Sequence, residues 1–297
     1  MKLSLIQMNA SDDRDANVEK ACNFLDEAAK EKPDLIVLPE FFNYFYFAMY
    51  RDYKYVKMAE KDDGYTMTRI KGKAREHGVY IIATIYEEQM PAIYYDTAIL
   101  VNPRGQIAGK YRKSHPPGNR SLERIYYRYG SKFPVFTIGD WKVGVVICYD
   151  LNFPEAARCV MLNGAELLVV PFCEAVNYLS PAASSLPGDT GVGAINKKSW
   201  LRQWDLKTGQ RAIENQVYLA ACNHVGQEKD AVIIGESRVV DPWGEVIVSA
   251  GDQERVIHCE LDRGKLLQLR QTTSVLRDRR PDLYKAITTD TEDLPLL

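Results

Sequence analysis

The sequence of 297 residues predicts an α/β fold, a four-layer α-β-β-α sandwich in which helices cover two sheets packed face to face. Two observations lead to this prediction. Short apolar runs typical of buried strands alternate with segments of helical periodicity, and two hairpin patterns interrupt the alternation. Because no linker divides this order, we expect one domain over residues 1–285, followed by a C-terminal tail over 286–297.

The first elements follow the order strand, helix, strand, helix, strand. Leu3 and Leu5 alternate with polar neighbours, as in a half-buried strand. A helix is predicted next, ended by Pro33, from residues at helical spacing: Val18, Cys22, Leu25 and Ala28. The nearly all-apolar run over 34–39 indicates a strand covered on both faces. A second helix, carrying Met67, Ile70 and Ala74, leads to the strand predicted over 79–83.

Two hairpins make the predicted sheets mixed rather than purely parallel. The runs 96–101 and 106–109 flank Asn102-Pro103-Arg104-Gly105, whose proline and glycine supply the backbone angles of a turn. The same pattern returns over 237–246, around Asp241-Pro242-Trp243-Gly244.

The second half of the chain contains another strand–helix–strand unit. We predict a buried strand over 143–148, a helix over 154–163 that begins at a proline and has Gly164 just past its end, and a strand over 166–170. Residues 176–200 are rich in Ser, Pro, Gly and Ala and predict a long inserted loop, either a lid, an interface element or a mobile segment. Cys148 would end its strand, and strand ends are where α/β proteins keep their chemistry.

Composition excludes several classes of protein. There are 38 Lys+Arg against 40 Asp+Glu, so the net charge is −2. Because Lys110, Arg112 and Lys113 form the only notable basic cluster near an aromatic residue in the sequence, we do not expect nucleic-acid binding. The N-terminus lacks the apolar run of a signal peptide, and no stretch reaches the ~18 apolar residues of a membrane span, so we expect a cytoplasmic protein without membrane contact. Six scattered cysteines fit thiols in a reducing compartment. Nothing in the sequence indicates a metal or an organic cofactor.

Three polar residues each follow an apolar stretch without belonging to it: Glu40, Lys113 and Cys148. Each also has a structural explanation. A cysteine after an apolar strand is most often a small buried hydrophobic residue. The glutamate could cap a neighbouring helix, and the lysine could be a solvated charge.

At these residues the sequence resembles the nitrilase superfamily, the carbon–nitrogen hydrolases. The resemblance runs from about residue 2 to residue 284 and rests on six ordered blocks: 35–40, ending in Leu38-Pro39-Glu40; 109–115, containing Tyr111-Arg112-Lys113; 144–155, containing Cys148-Tyr149-Asp150 and Phe153-Pro154-Glu155; 211–216; 237–244; and 278–284. It implies the Glu-Lys-Cys catalytic set at Glu40, Lys113 and Cys148. It also places Glu123 where many members carry a second glutamate.

The resemblance further implies an assembly of identical subunits, a homodimer or a larger oligomer, in which residues 277–284 contribute to subunit contacts. Glu123 has an alternative explanation as a salt-bridge partner of Arg120 or Arg124, because the sequence around it departs from the commoner family patterns.

The three residue types suit hydrolysis of an amide-type C–N bond. Cys148 would attack the carbon to give a thioester, Glu40 would take the thiol proton and deliver it to the leaving amine or ammonia, and Glu40 would later activate water. Lys113 and the backbone N–H of Tyr149 would face the developing oxyanion. Glu123 would keep Lys113 charged and oriented.

Three alternatives remain open at this point. A cysteine–histidine enzyme would pair Cys148 with His77, His115, His224 or His258, although the surroundings of Cys148 lack a papain-like signature. We expect His77 and His258 to be packing residues and His115 to form a loop-stabilising hydrogen bond. A nitrilase would convert a nitrile to an acid and ammonia, and a non-catalytic scaffold would keep the fold as a binding module.

The substrate is predicted only by class, as a linear amide or an N-carbamoyl (ureido) amine. Tyr149 and Asp150 after the cysteine are similar to amidases and N-carbamoyl-amine hydrolases. Many amidase-like relatives, the omega-amidases among them, carry arginine where this chain has Asn152, so no bidentate contact to a carboxylate is expected there. We expect four residues to contact substrate: Tyr149, Asn152, Glu174, which could attract a cationic amine, and Phe41, whose aromatic run could instead form core or interface.

Overall fold

The computed structural model describes residues 1–118, 121–174, 177–178 and 197–289, and for residues 177–178 it describes only the strand pairing. The strands in chain order are β1 (Lys2–Gln7), β2 (Leu35–Val37), β3 (Tyr80–Met90), β4 (Ile93–Val101), β5 (Ile107–Arg112), β6 (Val135–Ile138), β7 (Trp141–Val145), β8 (Leu167–Pro171), β9 (Asn177–Tyr178), β10 (Tyr218–Cys222), β11 (Val225–Glu228), β12 (Ala231–Ile234), β13 (Arg238–Val240), β14 (Val246–Ser249) and β15 (Arg255–Glu260).

The α-helices are α1 (Arg14–Ala29), α2 (Tyr65–His77), α3 (Glu123–Tyr126), α4 (Pro154–Leu162), α5 (Lys197–Asn215), α6 (Arg263–Thr272) and α7 (Lys285–Thr288). The described residues also form four 3₁₀ segments: Phe47–Met49, Tyr53–Met58, Cys148–Asn152 and Pro281–Leu283.

Two six-stranded mixed sheets form the centre of the molecule. The first has the order β15-β1-β2-β3-β4-β5, and the second has the order β14-β13-β10-β8-β7-β6. Parallel pairing joins β1, β2 and β3 in one sheet and β10, β8 and β7 in the other, whereas the outer pairs are antiparallel. The hairpins β4–β5 and β13–β14 confirm the two predicted from the sequence. A small sheet, β11-β12-β9, was not expected.

The four layers follow from the two faces of each strand. Leu3 and Leu5 of β1 point into one apolar core shared with the second sheet, for example with Val145 and Val169. Ile6 points to the opposite face, where a second core packs the sheet against α1 and α2. Helices α4 and α5 cover the outer face of the second sheet through buried residues of the first core: Ala156, Val160, Trp204 and Ala212. The predicted α-β-β-α sandwich is therefore confirmed.

The predicted strand over 143–148 is wrong at its end. Strand β7 stops at Val145, and Cys148 instead begins a 3₁₀ turn with a positive φ of 44°. The turn forms because the carboxylate of Asp150 accepts the backbone N–H of Ile147 (3.0 Å), which takes this segment out of the ladder.

The predicted loop over 176–200 is wrong at both described ends. Residues 197–200 are the first turn of α5, where the rings of Trp200 and Trp204 stack at 5.2 Å and are buried. These residues are helical because the two rings pack together in the core, although the composition of 176–200 predicted a loop. Residues 177–178 form β9, whereas 175–176 and 179–196 lie outside the described residues.

The predicted tail begins with α7, and residues 290–297 lie outside the described part of the chain. That residues 1–285 form one domain stays a prediction. Among the helices described, none combines the length and the apolar character that crossing a bilayer requires.

Candidate active site

Glu40 lies just after β2 and is completely buried. The next residue, Phe41, has a positive φ of 53°, which turns the chain sharply at the end of the strand. Thr84 on the neighbouring β3 stabilises the turn, because its hydroxyl accepts the N–H of Phe41 (2.7 Å) and donates to the carbonyl of Pro39 (2.9 Å). The glutamate is therefore presented by a braced turn rather than by a free loop.

His224 fixes the same turn from the other side. Its Nε2 lies 2.5 Å from the carbonyl oxygen of Glu40, and its Nδ1 lies 2.6 Å from a carboxylate oxygen of Glu228. Both nitrogens face acceptors, which favours the doubly protonated ring. Burial opposes that charge, but Glu228 outweighs it and the pKa of His224 is raised. Glu228 also accepts the N–H groups of Ala10 and Tyr46.

Lys113 directly follows β5 and reaches the carboxylate of Glu40. Its Nζ lies 2.7 Å from Glu40 Oε1, 2.8 Å from Glu123 Oε2 and 3.5 Å from Asp96 Oδ2. Only 1% of its surface is exposed. Burial opposes the charge of the ammonium, but the carboxylates of Glu123 and Glu40 outweigh it and raise the pKa of Lys113 well above its ordinary value.

Glu123 begins the short helix α3 and is also completely buried. It accepts hydrogen bonds from Lys113 Nζ (3.0 Å) and from the hydroxyl of Tyr46 (2.6 Å), which in turn accepts from Ser121. Burial raises the pKa of Glu123 to about 7. The alternative salt bridge to Arg124 is not formed, since that guanidinium donates to the carbonyl of Pro116. Arg120 lies outside the described residues.

Cys148 is buried at the start of its 3₁₀ turn, beside this cluster. Burial and the charge of Glu40 raise the pKa of its thiol, and Lys113 lowers it in part. The turn is held by Asp150, whose carboxylate accepts the hydroxyl of Tyr111 (2.6 Å) and the backbone N–H of His115 (2.9 Å). Asp150 thus ties the turn that carries Cys148 to the chain on both sides of Lys113.

The four predicted substrate contacts lie in different surroundings. Tyr149 is 37% exposed, and its ring meets Phe153 edge-on at 5.4 Å. Glu174 is half-buried, accepts the indole N–H of Trp200 (3.2 Å) and contributes to the raised pKa of Cys148. The side chain of Asn152 is exposed. Phe41 is 1% exposed and packs in an aromatic cluster, against Phe47 at 5.7 Å and Tyr127 at 5.8 Å.

The four histidines are engaged with other partners than Cys148 in the described structure. His115 Nδ1 lies 2.7 Å from Asp150, the loop-stabilising hydrogen bond expected from the sequence. His77 ends α2 and bonds Asp26 (2.6 Å). The expectation for His258 is wrong, because this residue is exposed on the edge strand β15 and hydrogen-bonds Ser4 (2.9 Å) rather than packing in the core.

Two buried clusters each contain three side chains that could ligate a metal ion, with the possible ligand atoms of a cluster within 4.8 Å of one another. One is Glu40, Asp96 and Glu123, and the other is Cys173, His224 and Glu228. The ammonium of Lys113 already lies among the carboxylates of the first group. In the second, both ring nitrogens of His224 are engaged in hydrogen bonds.

Sequence reasoning missed Tyr46, Asp96 and Glu228, named Asp150 only as part of a family block, and considered His224 only as a partner of Cys148. Asp96 had a signal, because it is a charged residue at the head of an apolar run in a predicted strand. No feature of the sequence distinguished Tyr46 from the other aromatic residues of the run over 41–47.

Known proteins resemble this chain in sequence and in fold. The sequence model of the carbon-nitrogen hydrolase family matches residues 2–271. Omega-amidase NIT2 of Homo sapiens is 33% identical over 290 residues, which cover 95% of this chain and 96% of that protein. A carbon-nitrogen hydrolase structure from Helicobacter pylori is 28% identical, with a TM-score of 0.87 and 98% of each chain covered. An amidase from Nesterenkonia sp., solved as a mutant after Michael addition of acrylamide at its active-site cysteine, has a TM-score of 0.76 at 24% identity, over 97% of this chain and 99% of that chain, a likeness of fold alone.

Proposed function

Because this chain belongs to the carbon–nitrogen hydrolase family, we propose that it hydrolyses a small linear amide through a thioester on Cys148. It is an enzyme that cleaves amide C–N bonds, as the similarity to omega-amidases supports. One observation carries the assignment of the chemistry: an ammonium, two carboxylates and a thiol from four separate segments share one buried site, with Lys113 2.7 Å from Glu40 and 2.8 Å from Glu123.

In the first step the sulfur of Cys148 attacks the amide carbon. The thiol proton passes to Glu40 as the C–S bond forms, because burial makes free ionisation of this thiol unfavourable and a neighbouring base is required. The carbonyl oxygen becomes an oxyanion. When the C–N bond breaks, the proton returns from Glu40 to the nitrogen, and ammonia or an amine leaves.

Lys113 supplies the fixed positive charge for the oxyanion. Its position between Glu40 and Glu123 holds the ammonium in one place before substrate arrives, which is the condition for effective electrostatic stabilisation. The backbone N–H of Tyr149, next to the nucleophile in the turn, is the second donor in this proposal. Glu123 acts through Lys113 by keeping it charged and oriented.

The second half of the reaction releases the acid. Glu40 takes a proton from water, the water oxygen bonds to the thioester carbon, and the C–S bond breaks to give a carboxylic acid. The sulfur leaves with the proton held by Glu40, which restores the thiol. The same residue therefore serves as base and acid in both halves.

The decisive experiment measures ammonia release from paired substrates of equal length: an amide, an N-carbamoyl amine and a nitrile. We expect turnover of the amide, loss of at least about 10⁴-fold in kcat for Cys148→Ala, and a trapped acyl adduct on the wild-type protein by mass spectrometry. The exposed Cys159→Ala variant is the matched control and keeps full activity. Turnover of the nitrile alone, or an adduct on another residue, would contradict the proposal; turnover of the ureide would extend it to N-carbamoyl amines.

Within this function we propose Glu174 as a contact for the part of the substrate beyond the scissile bond. Its charge acts on Cys148, and only one of its oxygens accepts the Trp200 indole. A carboxylate here favours a cationic or neutral substrate over an anionic one. Glu174→Gln is expected to raise KM for an ω-ammonium amide about tenfold and to leave KM for a neutral amide within about threefold. An equal change for both substrates would remove Glu174 from recognition. Tyr149, Asn152 and Phe41 stay proposals of the same kind.

We also propose a cytoplasmic enzyme that assembles as a homodimer or a larger homo-oligomer. Six cysteines that are all free thiols support a reducing compartment. Exposed apolar side chains near the C-terminus support the assembly: Val275, Leu283, Tyr284 and Ile287.

A further inference from the structure

Among the described residues, the active site brings three acid groups around one ammonium, more than that single charge can neutralise. Glu40, Asp96 and Glu123 all lie around Lys113, and none of the four is more than 1% exposed. If every acid were ionised, three negative charges would face one positive charge away from water. Such a cluster is strongly unfavourable, so it retains at least one proton at neutral pH.

The hydrogen bonds indicate which acid holds that proton. Glu123 accepts from Lys113 and from Tyr46, and Glu40 Oε1 accepts from Lys113. Neither carboxyl oxygen of Asp96 has a donor among the described residues, and its approach to Lys113, at 3.5 Å, is the longest of the three. Glu40 Oε2 is likewise buried without a described donor, whereas Glu123 Oε2, also without a hydrogen bond, has the ammonium of Lys113 at 2.8 Å. An acidic hydrogen on Asp96 would satisfy both Asp96 and Glu40.

We propose that Asp96 is the protonated acid of the site and that it donates a hydrogen bond to Glu40, which makes it a positioning residue for the general base. The inference rests on the role proposed above for Glu40. The backbone fixes the position of Asp96 on β4, because its carbonyl oxygen accepts a hydrogen bond from the backbone N–H of Lys113 (2.9 Å). The titratable groups that face Asp96 are Glu40, Lys113, Glu123 and Tyr127.

The electrostatics of the site support this protonation state. Burial and the negative charge of Glu40 raise the pKa of Asp96 well above its ordinary value, although Lys113 lowers it in part. A neutral donor against Glu40 stabilises the ionised form of that glutamate, which is the form that must accept the thiol proton. Asp96 thereby keeps the general base ionised and in one orientation.

Two substitutions separate this role from a purely structural one. Asp96→Asn keeps an uncharged donor of the same shape, so we expect kcat within about threefold of wild type and an unchanged acidic limb of the pH profile. Asp96→Ala removes the donor, so we expect kcat to fall about 10- to 100-fold and the acidic limb to move to higher pH, with little change in KM. Loss of activity in Asp96→Asn equal to that in Asp96→Ala would overturn the proposal, because it would mean that the charge of Asp96 is needed.

Infrared absorption at pH 8 tests the proton without using activity. We expect the wild-type spectrum to contain a protonated-carboxyl C=O band that Asp96→Asn lacks. Glu87→Gln is the matched control: this buried acid on the adjacent strand β3 accepts from Lys110, Arg112 and Thr97, and although burial opposes ionisation, these bonds lower its pKa to about 2. The spectrum of Glu87→Gln should therefore keep the same protonated-carboxyl band as the wild-type spectrum. A band unchanged by Asp96→Asn would refute the inference.

The infrared result needs only the Asn variant, so poor folding of the Ala variant leaves the test decisive. It is also independent of the proposed function. Absence of amide turnover would refute that function and still leave the protonation of Asp96 measurable.

Discussion

Lys113 is the central residue of the site, since it contacts both Glu40, the proposed general base, and Glu123. It is also the positive charge that makes two buried carboxylates tolerable. Removing one partner of a buried ion pair leaves an uncompensated charge, which is far more costly than the pair is worth.

Lys113→Met is therefore expected to reduce both activity and stability. Loss of an oxyanion donor predicts a kcat about 100- to 1000-fold lower, and the stranded carboxylates predict a loss of about 3–5 kcal/mol in unfolding free energy. Ammonia release and denaturant unfolding measure the two effects. Lys110→Met is the control: this lysine, 27% exposed, pairs with Asp62 and Glu87 away from the site and should keep activity within about threefold. Retention of a tenth of the activity in Lys113→Met would argue against the oxyanion role.

The raised pKa of Glu123 predicts that the stability of the protein depends on pH. Its pKa is about 7 in the folded protein against an ordinary 4.5, so the folded state binds its proton more tightly than the unfolded chain does. The stability that this proton contributes is complete below pH 4.5 and is lost as the pH rises to about 7. Thermal unfolding should show Tm of Glu123→Gln minus Tm of wild type becoming more positive from pH 5 to pH 8. A difference that stays constant or falls would refute the raised pKa.

At the level of elements, the strand that precedes Cys148 packs tightly on the helix that follows it. A Cβ on Gly144 of β7 would lie 2.0 Å from Cγ1 of Val160 on α4 and 3.2 Å from the Cβ of Ala165. The glycine is needed here because of this close approach. Strand β7 and helix α4 flank Cys148, so their separation sets where the sulfur lies.

Gly144→Ala is expected to destabilise the protein by about 1–3 kcal/mol through overpacking, with a parallel fall in kcat as the nucleophile's turn shifts. Val160→Ala removes the clashing methyl groups and should recover part of both losses in the double variant. Denaturant unfolding of the four proteins of the cycle gives the coupling energy. If Gly144→Ala costs the same in both backgrounds, the strand–helix contact is not the cause.

At the level of the whole molecule, the C-terminal segment leaves apolar side chains in solvent. Leu283 is 65% exposed and Ile287 is 60% exposed. Clustered exposure of this kind marks interaction sites more often than an inert surface. The family resemblance also predicts subunit contacts over residues 277–284.

The double variant Leu283→Glu with Ile287→Glu is expected to shift the assembly to a smaller mass, because charged groups cannot be buried unpaired at the interface. Light scattering after size exclusion measures the mass. Tyr53→Glu, at a side chain 81% exposed on a different segment, is the control and should leave the mass unchanged. A wild-type protein that is already monomeric would refute the predicted assembly.

Much of the fold could be predicted from the sequence because its signals are local. The all-apolar run that became β2 and the proline–glycine turns of both hairpins needed no long-range information. Helix α5 escaped prediction because the stacking and burial of Trp200 and Trp204, which hold its first turns against the second sheet, depend on tertiary packing. The end of β7 was misplaced because Asp150 redirects the chain through side-chain hydrogen bonds.

The sandwich architecture and the residue types of the proposed reaction could be predicted from the linear chain, since apolar periodicity and the blocks around Glu40, Lys113 and Cys148 are local properties of the sequence. The arrangement of these groups around Lys113, on which the proposed protonation of Asp96 rests, exists only in the folded chain. In the described part of the chain, three acids from different segments are buried around the ammonium of Lys113, and which of them stays neutral depends on distances, burial and hydrogen-bond donors that exist only after the sheets have packed.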